Sequence, residues 1–348
     1  MNVTVTKNMK YCTTALAMLG MASILTACGG DGDNADEVAL AAAIENAERS
    51  APAGKRAIVE THIHFWQTTR VGGVPWPTAA EGPIFRDVLP PEYSAFAKSQ
   101  GVVAAGIVEA SGIVEDNQWI LDLVKGDPFY SFFVGNLEIG APTFAADLAR
   151  FAGDTRFVGI RGYLTGPAEG ITLSTAQLTN LQDLADRGMT LDVISRGTKN
   201  PKSQVQALCT AVPKLRIIID HLGGATGPAV DPTWEADIRR LAGACPNLSM
   251  KFSSFYDMYA PGDVVFASPT NLDAYKPHFD VLMAAFGADR LIWGSNWPVI
   301  TLHGTFEAQI AIAEAYLAPL GTDVRDKVMF KNALTFYRRH KQDRHHHN

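Results

Sequence analysis

Residues 57–64 read AIVETHIH, and residues 102–110 read VVAAGIVEA. Each stretch is a short apolar run, rich in β-branched residues, that ends in polar side chains, as expected for a strand buried on both faces. These runs begin a regular alternation in which similar strands are separated by patterns of helical periodicity. Such an alternation predicts a parallel sheet, because each helix carries the chain back to the edge where the next strand starts.

Eight strands and eight helices are predicted in alternation. The strands are predicted at residues 57–64, 102–110, 130–138, 157–163, 189–194, 215–220, 248–254 and 290–295. The helices are predicted near residues 91–99, 115–125, 144–152, 174–187, 201–211, 234–244, 271–286 and 305–318. At this length a closed (β/α)₈ barrel, the TIM barrel, is the natural α/β fold, and an open doubly wound sheet is its competitor. The sequence has no glycine-rich phosphate-binding motif after any strand, so nothing supports a nucleotide fold.

Two further segments complete the predicted domain. The loop at residues 65–90 is long and rich in Pro, Gly and Trp, which is typical of lids and binding loops. Residues 323–339 have the pattern of an amphipathic helix, which we expect to seal the barrel. The single barrel domain is therefore placed at residues 56–340, and residues 341–348 form a tail.

The composition favours a globular protein that acts on a small molecule. Hydrophobic residues make up 47% of the chain and charged residues 19%, which suits a large core. The formal net charge is −6, and no basic run occurs inside the predicted domain. This charge distribution argues against nucleic acid as a partner.

The N-terminal segment has the pattern of a bacterial export signal. Lys7 and Lys10 precede a short apolar run that ends in LTAC at residues 25–28. This ending resembles the lipobox of lipoproteins, which implies a signal peptide at residues 1–27 and a lipid on Cys28. The acidic, Gly-rich start of residues 28–55 predicts a flexible linker. We therefore expect a protein anchored by its lipid in the cell envelope, at the periplasmic face of the outer membrane; the alternative is an ordinary signal peptide.

Two cysteines fall inside the predicted domain. Cys209 and Cys245 both lie on amphipathic helical patterns. We expect two buried thiols rather than a disulfide, although an oxidising compartment would permit pairing.

Polar residues gather at the predicted carboxyl ends of the strands, where barrels of this type carry their active sites. His62 and His64 lie two residues apart on the first strand, so both rings face the same side. With His221 after the sixth strand, three imidazoles could meet on the barrel axis and bind one divalent metal. The alternative is that hydrogen bonds within the protein satisfy these histidines.

Other strand ends supply candidates for substrate binding. They are Glu109, Arg161, Tyr163, Lys251 and, in the loop after the eighth strand, His303; Trp66 is a candidate for the pocket wall. Arg161 could clamp a substrate carboxylate or form an internal ion pair with Glu109 or Asp192. Lys251 likewise could pair with a carboxylate or point at substrate. Asp220 directly precedes His221, so its side chain should point away from the histidine and hold a loop or a neighbouring strand.

Six stretches in this order resemble the amidohydrolase-related family of the amidohydrolase superfamily. They are HIHFW, VEASGIVEDNQWIL, FVGIRGY, IIIDHLGG, the lysine of the seventh strand, and DRLIWGSNWPV. The similarity covers about residues 57–337 and is greatest to the branch of sugar lactonases and 2-pyrone-4,6-dicarboxylate lactonases. It implies a TIM barrel that hydrolyses a lactone ring, often with one divalent metal, zinc or manganese, although some members work without metal. Barrels of this family often pair, so a homodimer is an open expectation.

The resemblance also assigns roles to individual positions. His62 and His64 match the first-strand pair, and His221 matches the sixth-strand histidine that binds metal or polarises the carbonyl group. Asn296 matches the eighth-strand aspartate that activates water in this superfamily, and here the chain departs from the pattern. An amide cannot take a proton from water near neutral pH. Asp192 stands where binuclear members have histidine, so two metals are not expected.

The sequence therefore predicts a hydrolase that opens a lactone or a related cyclic ester of a small, anionic or neutral substrate. Catalysis would involve His221, Asn296 and Asp192, with Asp192, Glu109 and His303 as the alternatives for the missing base. A decarboxylase or hydratase on the same scaffold is the first alternative function. A binding protein that has lost its base is the second, because of Asn296.

Overall fold

The computed structural model describes residues 31–164, 173–195, 202–260 and 264–339, and its centre is one sheet of eight parallel strands. The strands are β1 (Ile58–Ile63), β2 (Val102–Val108), β3 (Tyr130–Asn136), β4 (Phe157–Arg161), β5 (Thr190–Val193), β6 (Arg216–Ile219), β7 (Leu248–Ser253) and β8 (Leu291–Gly294). Each strand pairs with the next one in the chain, in the order β1 to β8. The predicted strands were correct to within two residues at each end.

Helices connect the strands on the outside of the sheet. They are α1 (Asp31–Ser50), α2 (Pro90–Ala97), α3 (Glu115–Leu123), α4 (Phe144–Phe151), α5 (Thr175–Asp186), α6 (Lys202–Ala211), α7 (Pro232–Ala244), α8 (Lys276–Phe286), α9 (Phe306–Leu317), α10 (Thr322–Asp326) and α11 (Asn332–Phe336). Helices α2 to α9 follow β1 to β8 in turn, so the predicted alternation is confirmed.

Hydrogen bonds between β1 and the end of β8 bring the two edges of the sheet together. Thr61 Oγ1 donates to Trp293 O at 2.7 Å, and the Asn296 amide nitrogen donates to His62 O at 2.8 Å. The His64 amide nitrogen donates to Trp297 O at 2.9 Å. The sheet is thus a nearly closed barrel of the TIM type, and the polar residues that follow β1 and β8 are held side by side.

The C-terminal segment closes one end of this barrel, as predicted. Helix α10, a π-helical turn at Lys327–Lys331 and helix α11 follow one another without a break. Phe330, Phe336 and Tyr337 are buried in a cluster with strand residues that include Val59 and Ile218. The active site must therefore open at the opposite end, where the strands have their carboxyl ends.

The segment before β1 differs from the sequence prediction. Residues 31–50 form helix α1 and not the flexible linker expected for residues 28–55. Ala47 is buried against the C-terminal segment, and Arg338 Nη2 lies 3.0 Å from Asp36 Oδ1. The apolar positions of this helix have a surface to pack on, which composition alone did not reveal. Cys28 and the signal lie outside the described residues, and their roles stay predictions.

The cysteine prediction was wrong. Cys209 on α6 and Cys245 at the end of α7 form a disulfide, with their Cα atoms 5.8 Å apart. Adjacent packing of α6 and α7 brings the two residues within the range that a disulfide spans, although they are 36 residues apart in sequence.

Within the described ranges, no helix has both the length and the apolar character needed to cross a membrane.

Candidate active site

Three histidines meet at the carboxyl ends of the strands, as predicted. The ring of His62 lies 4.9 Å from that of His64 and 4.4 Å from that of His221, measured between centroids. His62 and His64 are buried, whereas His221 is partly exposed. His221 is therefore the member of the group that meets entering water.

His64 and Asn296 form a pair whose hydrogen bonding is incomplete. His64 Nδ1 lies 2.9 Å from Val108 O, so this nitrogen carries the proton. Burial, and then the charge of Arg161, lower the pKa of His64 to about 3, so the ring is neutral and Nε2 has a lone pair. That lone pair faces Asn296 Oδ1 at 3.1 Å, while Asn296 Nδ2 donates to Ser254 Oγ at 2.9 Å.

Two acceptor atoms 3.1 Å apart repel each other unless a hydrogen atom or a cation lies between them. A turned Asn296 amide would donate a hydrogen bond to His64, and a bound cation would attract both lone pairs. The residue also has a φ of 70°, a left-handed conformation that asparagine and aspartate tolerate better than other side chains. Position 296 thus suits a short amide or carboxylate aimed at His64.

Lys251 lies beneath the histidines and is fully buried. Its ammonium group donates to Asp192 Oδ2 at 2.7 Å and to Thr61 O at 3.1 Å, and it lies 2.9 Å from His62 Nδ1. These three contacts use the three N–H groups of the side chain. Of the two predicted roles of Lys251, pairing with a carboxylate is therefore confirmed, and direct contact with substrate is not compatible with this arrangement.

Asp220 lies inside the site, contrary to the sequence prediction. Side chains alternate between the two faces along β6, so Asp220 and the next residue, His221, would point to opposite sides. Ile218 faces the interior of the barrel, and Asp220, two residues later, faces the same side. His221 reaches the same site because it has a φ of 54°, which ends the alternation at the turn after the strand. Neither carboxylate oxygen of Asp220 has a hydrogen-bond partner among the described residues.

Asp220 is nevertheless ionised. Burial alone would raise its pKa, but Lys251 and His62 outweigh burial and hold the pKa of Asp220 well below its usual value. Its nearest cationic groups, Lys251 Nζ at 3.4 Å and Arg161 Nη1 at 3.7 Å, lie beyond good hydrogen-bond distance. A buried carboxylate with two unused oxygens is costly unless a cation or a donor completes its surroundings.

A metal ion fits this requirement. Ligand atoms of His62, Asp220 and His221 lie within 4.8 Å of one another. Imidazole and carboxylate are the ligands of many divalent zinc and manganese sites. The predicted metal ligands were His62, His64 and His221. In the structure His64 Nε2 faces Asn296, and Asp220 is the third candidate ligand beside His62 and His221.

Arg161 and Glu109 form the internal ion pair that the sequence left as one of two options. Arg161 Nε donates to Glu109 Oε1 at 2.7 Å, and Nη2 donates to the backbone oxygen of Glu109 at 2.8 Å. Nη1 lies 3.3 Å from His62 Nε2. A neutral imidazole accepts at one nitrogen only, and Lys251 donates to Nδ1, so the contact with Nε2 is not a hydrogen bond. The two bonds to Glu109 leave three of the five N–H groups of the guanidinium. Arg161 can therefore still donate to a substrate oxygen next to His62.

Glu60 holds the seam between β1 and β8, a role that the sequence did not reveal. Glu60 Oε1 accepts hydrogen bonds from the backbone nitrogens of His62 and Ser295, both at 2.8 Å. Tyr93 donates to the other oxygen at 3.2 Å. Burial raises the pKa of Glu60 to about 7, although these hydrogen bonds oppose the change.

Replacing Glu60 by Gln should therefore alter how stability depends on pH. From about pH 4.5, the ordinary pKa, to about pH 7, the unfolded chain releases the proton of Glu60 while the folded chain retains it. Over this interval Glu60 should remove roughly 3 kcal/mol from the free energy of unfolding of the wild type, and Glu60→Gln should lack this loss. Urea denaturation at several pH values measures the difference between the two proteins. Parallel curves at all pH values would contradict the assignment.

The other predicted residues lie around this centre. Asp192 is fully buried behind Lys251, and Tyr337 also donates to its Oδ2, at 2.9 Å. Tyr163 follows Arg161 and is 48% exposed, and His303 is buried in the turn after β8. Trp66 is buried with its ring stacked near His64, at 6.5 Å between centroids. The structure thus keeps Tyr163 and Trp66 at the opening and separates Asp192 from it.

Trp66 is one wall of an aromatic cleft beside the histidines. Its ring nitrogen donates to Arg86 O at 2.8 Å, which fixes the ring as a wall. The enclosed part of the cleft is small, and the rest is open to solvent. We define the aromatic cleft by the residues Phe65, Trp66, Val74, Trp76, Trp119 and Glu109.

A buried polar centre at the carboxyl ends of the strands of a β/α barrel is the arrangement of an enzyme. The chain matches the Amidohydrolase family over residues 59–339 and belongs to this family.

Curated relatives and solved structures agree with this assignment. The chain is 30% identical over 290 residues to an L-fucono-1,5-lactonase of Burkholderia ambifaria, covering 80% of this chain and 95% of the relative. An L-fucono-1,5-lactonase of Burkholderia multivorans is 26% identical over 266 residues, covering 74% of this chain and 88% of the relative. A crystal structure of an amidohydrolase from Burkholderia multivorans with bound zinc has the same fold, with a TM-score of 0.70 and 23% identity, covering 81% of this chain and 99% of that one.

Proposed function

We propose that this chain is a hydrolase that opens the ring of a small sugar lactone. The observation that carries the proposal is the convergence of Asp220, Arg161 and the three histidines at the open end of an amidohydrolase barrel. Two L-fucono-1,5-lactonases are similar to nearly the whole barrel, which supports a lactone rather than another amidohydrolase substrate.

Lactone hydrolysis requires three things of the protein. Water must add to the carbonyl carbon, the oxygen of that carbonyl must be stabilised as negative charge develops, and the ring oxygen must leave with a proton. Arg161 has three remaining N–H groups, and a fixed guanidinium in a partly buried site stabilises a developing oxyanion well. We assign this role to Arg161.

His221 is the side chain best placed to exchange protons with water. Burial is the main reason that the pKa values of His62 and His64 lie far below neutral. The charge of Lys251 lowers the pKa of His62 further, and the charge of Arg161 does the same for His64, so both rings are weak bases. Asp192 is enclosed behind Lys251, and Asn296 cannot take a proton. His221 is partly exposed, and Ser253 Oγ lies 3.0 Å from its Nδ1 and orients the ring.

A divalent metal would be held by His62, Asp220 and His221, and His221 would then be a ligand instead of the base. Bound there, it would polarise the lactone carbonyl and lower the pKa of water. A solved amidohydrolase with this fold contains zinc, which supports zinc as the first ion to test. Asn296 would then orient water or substrate. Because the neutral ring of His62 has one lone pair, the metal would replace the hydrogen bond from Lys251, which would stay paired with Asp192.

The test is turnover of a lactone panel by the purified protein, followed as acid release with a pH indicator. We expect L-fucono-1,5-lactone or a related sugar lactone to release one proton per ring opened. We also expect a chelator to lower kcat/KM by at least about tenfold, and zinc or manganese to restore it. Saturable binding without acid release would favour the binding protein, and release of carbon dioxide from a carboxylated substrate would favour the decarboxylase.

A further inference from the structure

We propose that the aromatic cleft is the subsite for an exocyclic methyl group, so that the enzyme selects 6-deoxy sugar lactones over their 6-hydroxy counterparts. The inference rests on the proposed lactone hydrolysis and adds the group that decides between substrates. It concerns the aromatic cleft beside the histidines and not the polar centre.

The cleft lies beside His64 and shares Glu109 with the polar centre. Trp66 and Trp76 both have ring centroids 6.5 Å from the ring of His64, and the two indoles pack edge to face at 5.0 Å. Glu109 belongs both to the cleft and to the ion pair with Arg161. In a 1,5-lactone the substituent on C5 is two bonds from the ring oxygen that leaves. A substrate with its carbonyl group at Arg161 therefore has its C5 substituent within reach of the cleft.

The charged and amide groups of the cleft wall are already paired within the protein. Arg70 Nη2 lies 2.8 Å from Asp116 Oδ2, and the guanidinium lies over the Trp119 ring at 5.4 Å. The side-chain amide of Asn117 exchanges two hydrogen bonds with the backbone of Asn136, at 2.8 and 2.9 Å. Glu109, whose Oε1 accepts from Arg161, and Ser111 also line the wall. A hydroxyl group that enters between the indole rings would lose water and face mostly aromatic surface in return, which is unfavourable.

The size of the inner cleft also favours a methyl group. Its free space has room for about one water-sized group, and the walls are tryptophan, phenylalanine and valine side chains. A larger aliphatic or aromatic substituent would not enter without moving Trp76 or Trp119. A methyl group fills the space and removes apolar surface from water.

The experiment compares two hydrolysis-resistant ligands that differ in one oxygen atom. These are the 1,5-lactams that correspond to L-fucono-1,5-lactone and L-galactono-1,5-lactone, which carry methyl and hydroxymethyl groups on C5. Calorimetry with the wild-type protein should show about 10- to 100-fold tighter binding of the deoxy lactam. Turnover of the two lactones should show a preference of similar size in kcat/KM.

Variants locate the preference in the cleft. Trp76→Gln should reduce the ratio of the two affinities at least about fivefold, because it supplies a hydrogen-bonding amide, while Trp76→Phe should retain most of it. Phe85→Gln is the matched control, since Phe85 belongs to the same loop, is 45% exposed and does not line the cleft.

Equal affinity for the two lactams, no binding of either, or an unchanged ratio in Trp76→Gln would overturn the proposal. A protein that binds the deoxy lactam selectively but opens no lactone would retain this subsite and refute the proposed reaction. Failure of one proposal is thus distinguishable from failure of the other.

Discussion

Replacing Asp220 by Asn should lower kcat/KM for the lactone substrate by about 10³-fold, the largest effect that we expect from a single change. Asp220 contributes the negative charge at the centre of the site, next to His62, Lys251 and Arg161. Its two oxygens have no hydrogen-bond partner among the described residues, so they are available to a cation. We therefore also expect the metal content of Asp220→Asn to fall, measured by elemental analysis of the purified protein.

Asp192→Asn is the matched control for this experiment. Both carboxylates are buried and both neighbour Lys251, but Asp192 is bound to Lys251 and Tyr337 behind the histidines. Loss of that ion pair should destabilise the fold by about 3 kcal/mol and leave the metal content unchanged. If Asp192→Asn lost its metal and Asp220→Asn retained it, the assignment of the metal group would be wrong, and Asp192 would regain its predicted catalytic role.

Replacing Asn296 by Asp should raise kcat/KM by at least about tenfold and add an acidic limb to its pH profile. The carboxylate would face His64 Nε2 at the present 3.1 Å and could accept the proton that an amide cannot. The backbone should tolerate the change, because aspartate adopts the left-handed conformation that position 296 requires. The measurement is kcat/KM between pH 5 and 9 with saturating metal.

Ser254→Ala serves as the control for Asn296, since it removes the other partner of the amide without changing charge. It should lower activity modestly and leave the shape of the pH profile unchanged. A loss of activity in Asn296→Asp, with unchanged folding, would contradict the expected gain. It would show that the neutral amide is needed for substrate binding.

The positions of the strands and helices were readable from the sequence because they depend on local patterns. Apolar runs such as residues 57–64 can be satisfied only in a buried strand, and each is followed by a helix of matching length. The meeting of His62, His64 and His221 was predictable for a related reason. In a parallel barrel all strands end at one edge, so residues that are far apart in sequence converge there.

The surroundings of each site residue were not readable in this way. Lys251 and Arg161 each had two plausible partners, and only the strand register placed Lys251 against Asp192 and Arg161 against Glu109. The sequence did not indicate the structural role of Glu60. That role depends on the backbone nitrogen of Ser295, which reaches the carboxylate only when the barrel closes.

The order of the elements, the barrel and the histidine cluster followed from the amino-acid sequence, because periodicity and chain direction are local properties. Three features could be seen only in the folded protein: Asp220 joins His221, Cys209 pairs with Cys245, and residues 31–50 form a helix against the C-terminal segment. These features depend on a left-handed turn and on packing between distant segments, so their energies arise when the chain has folded.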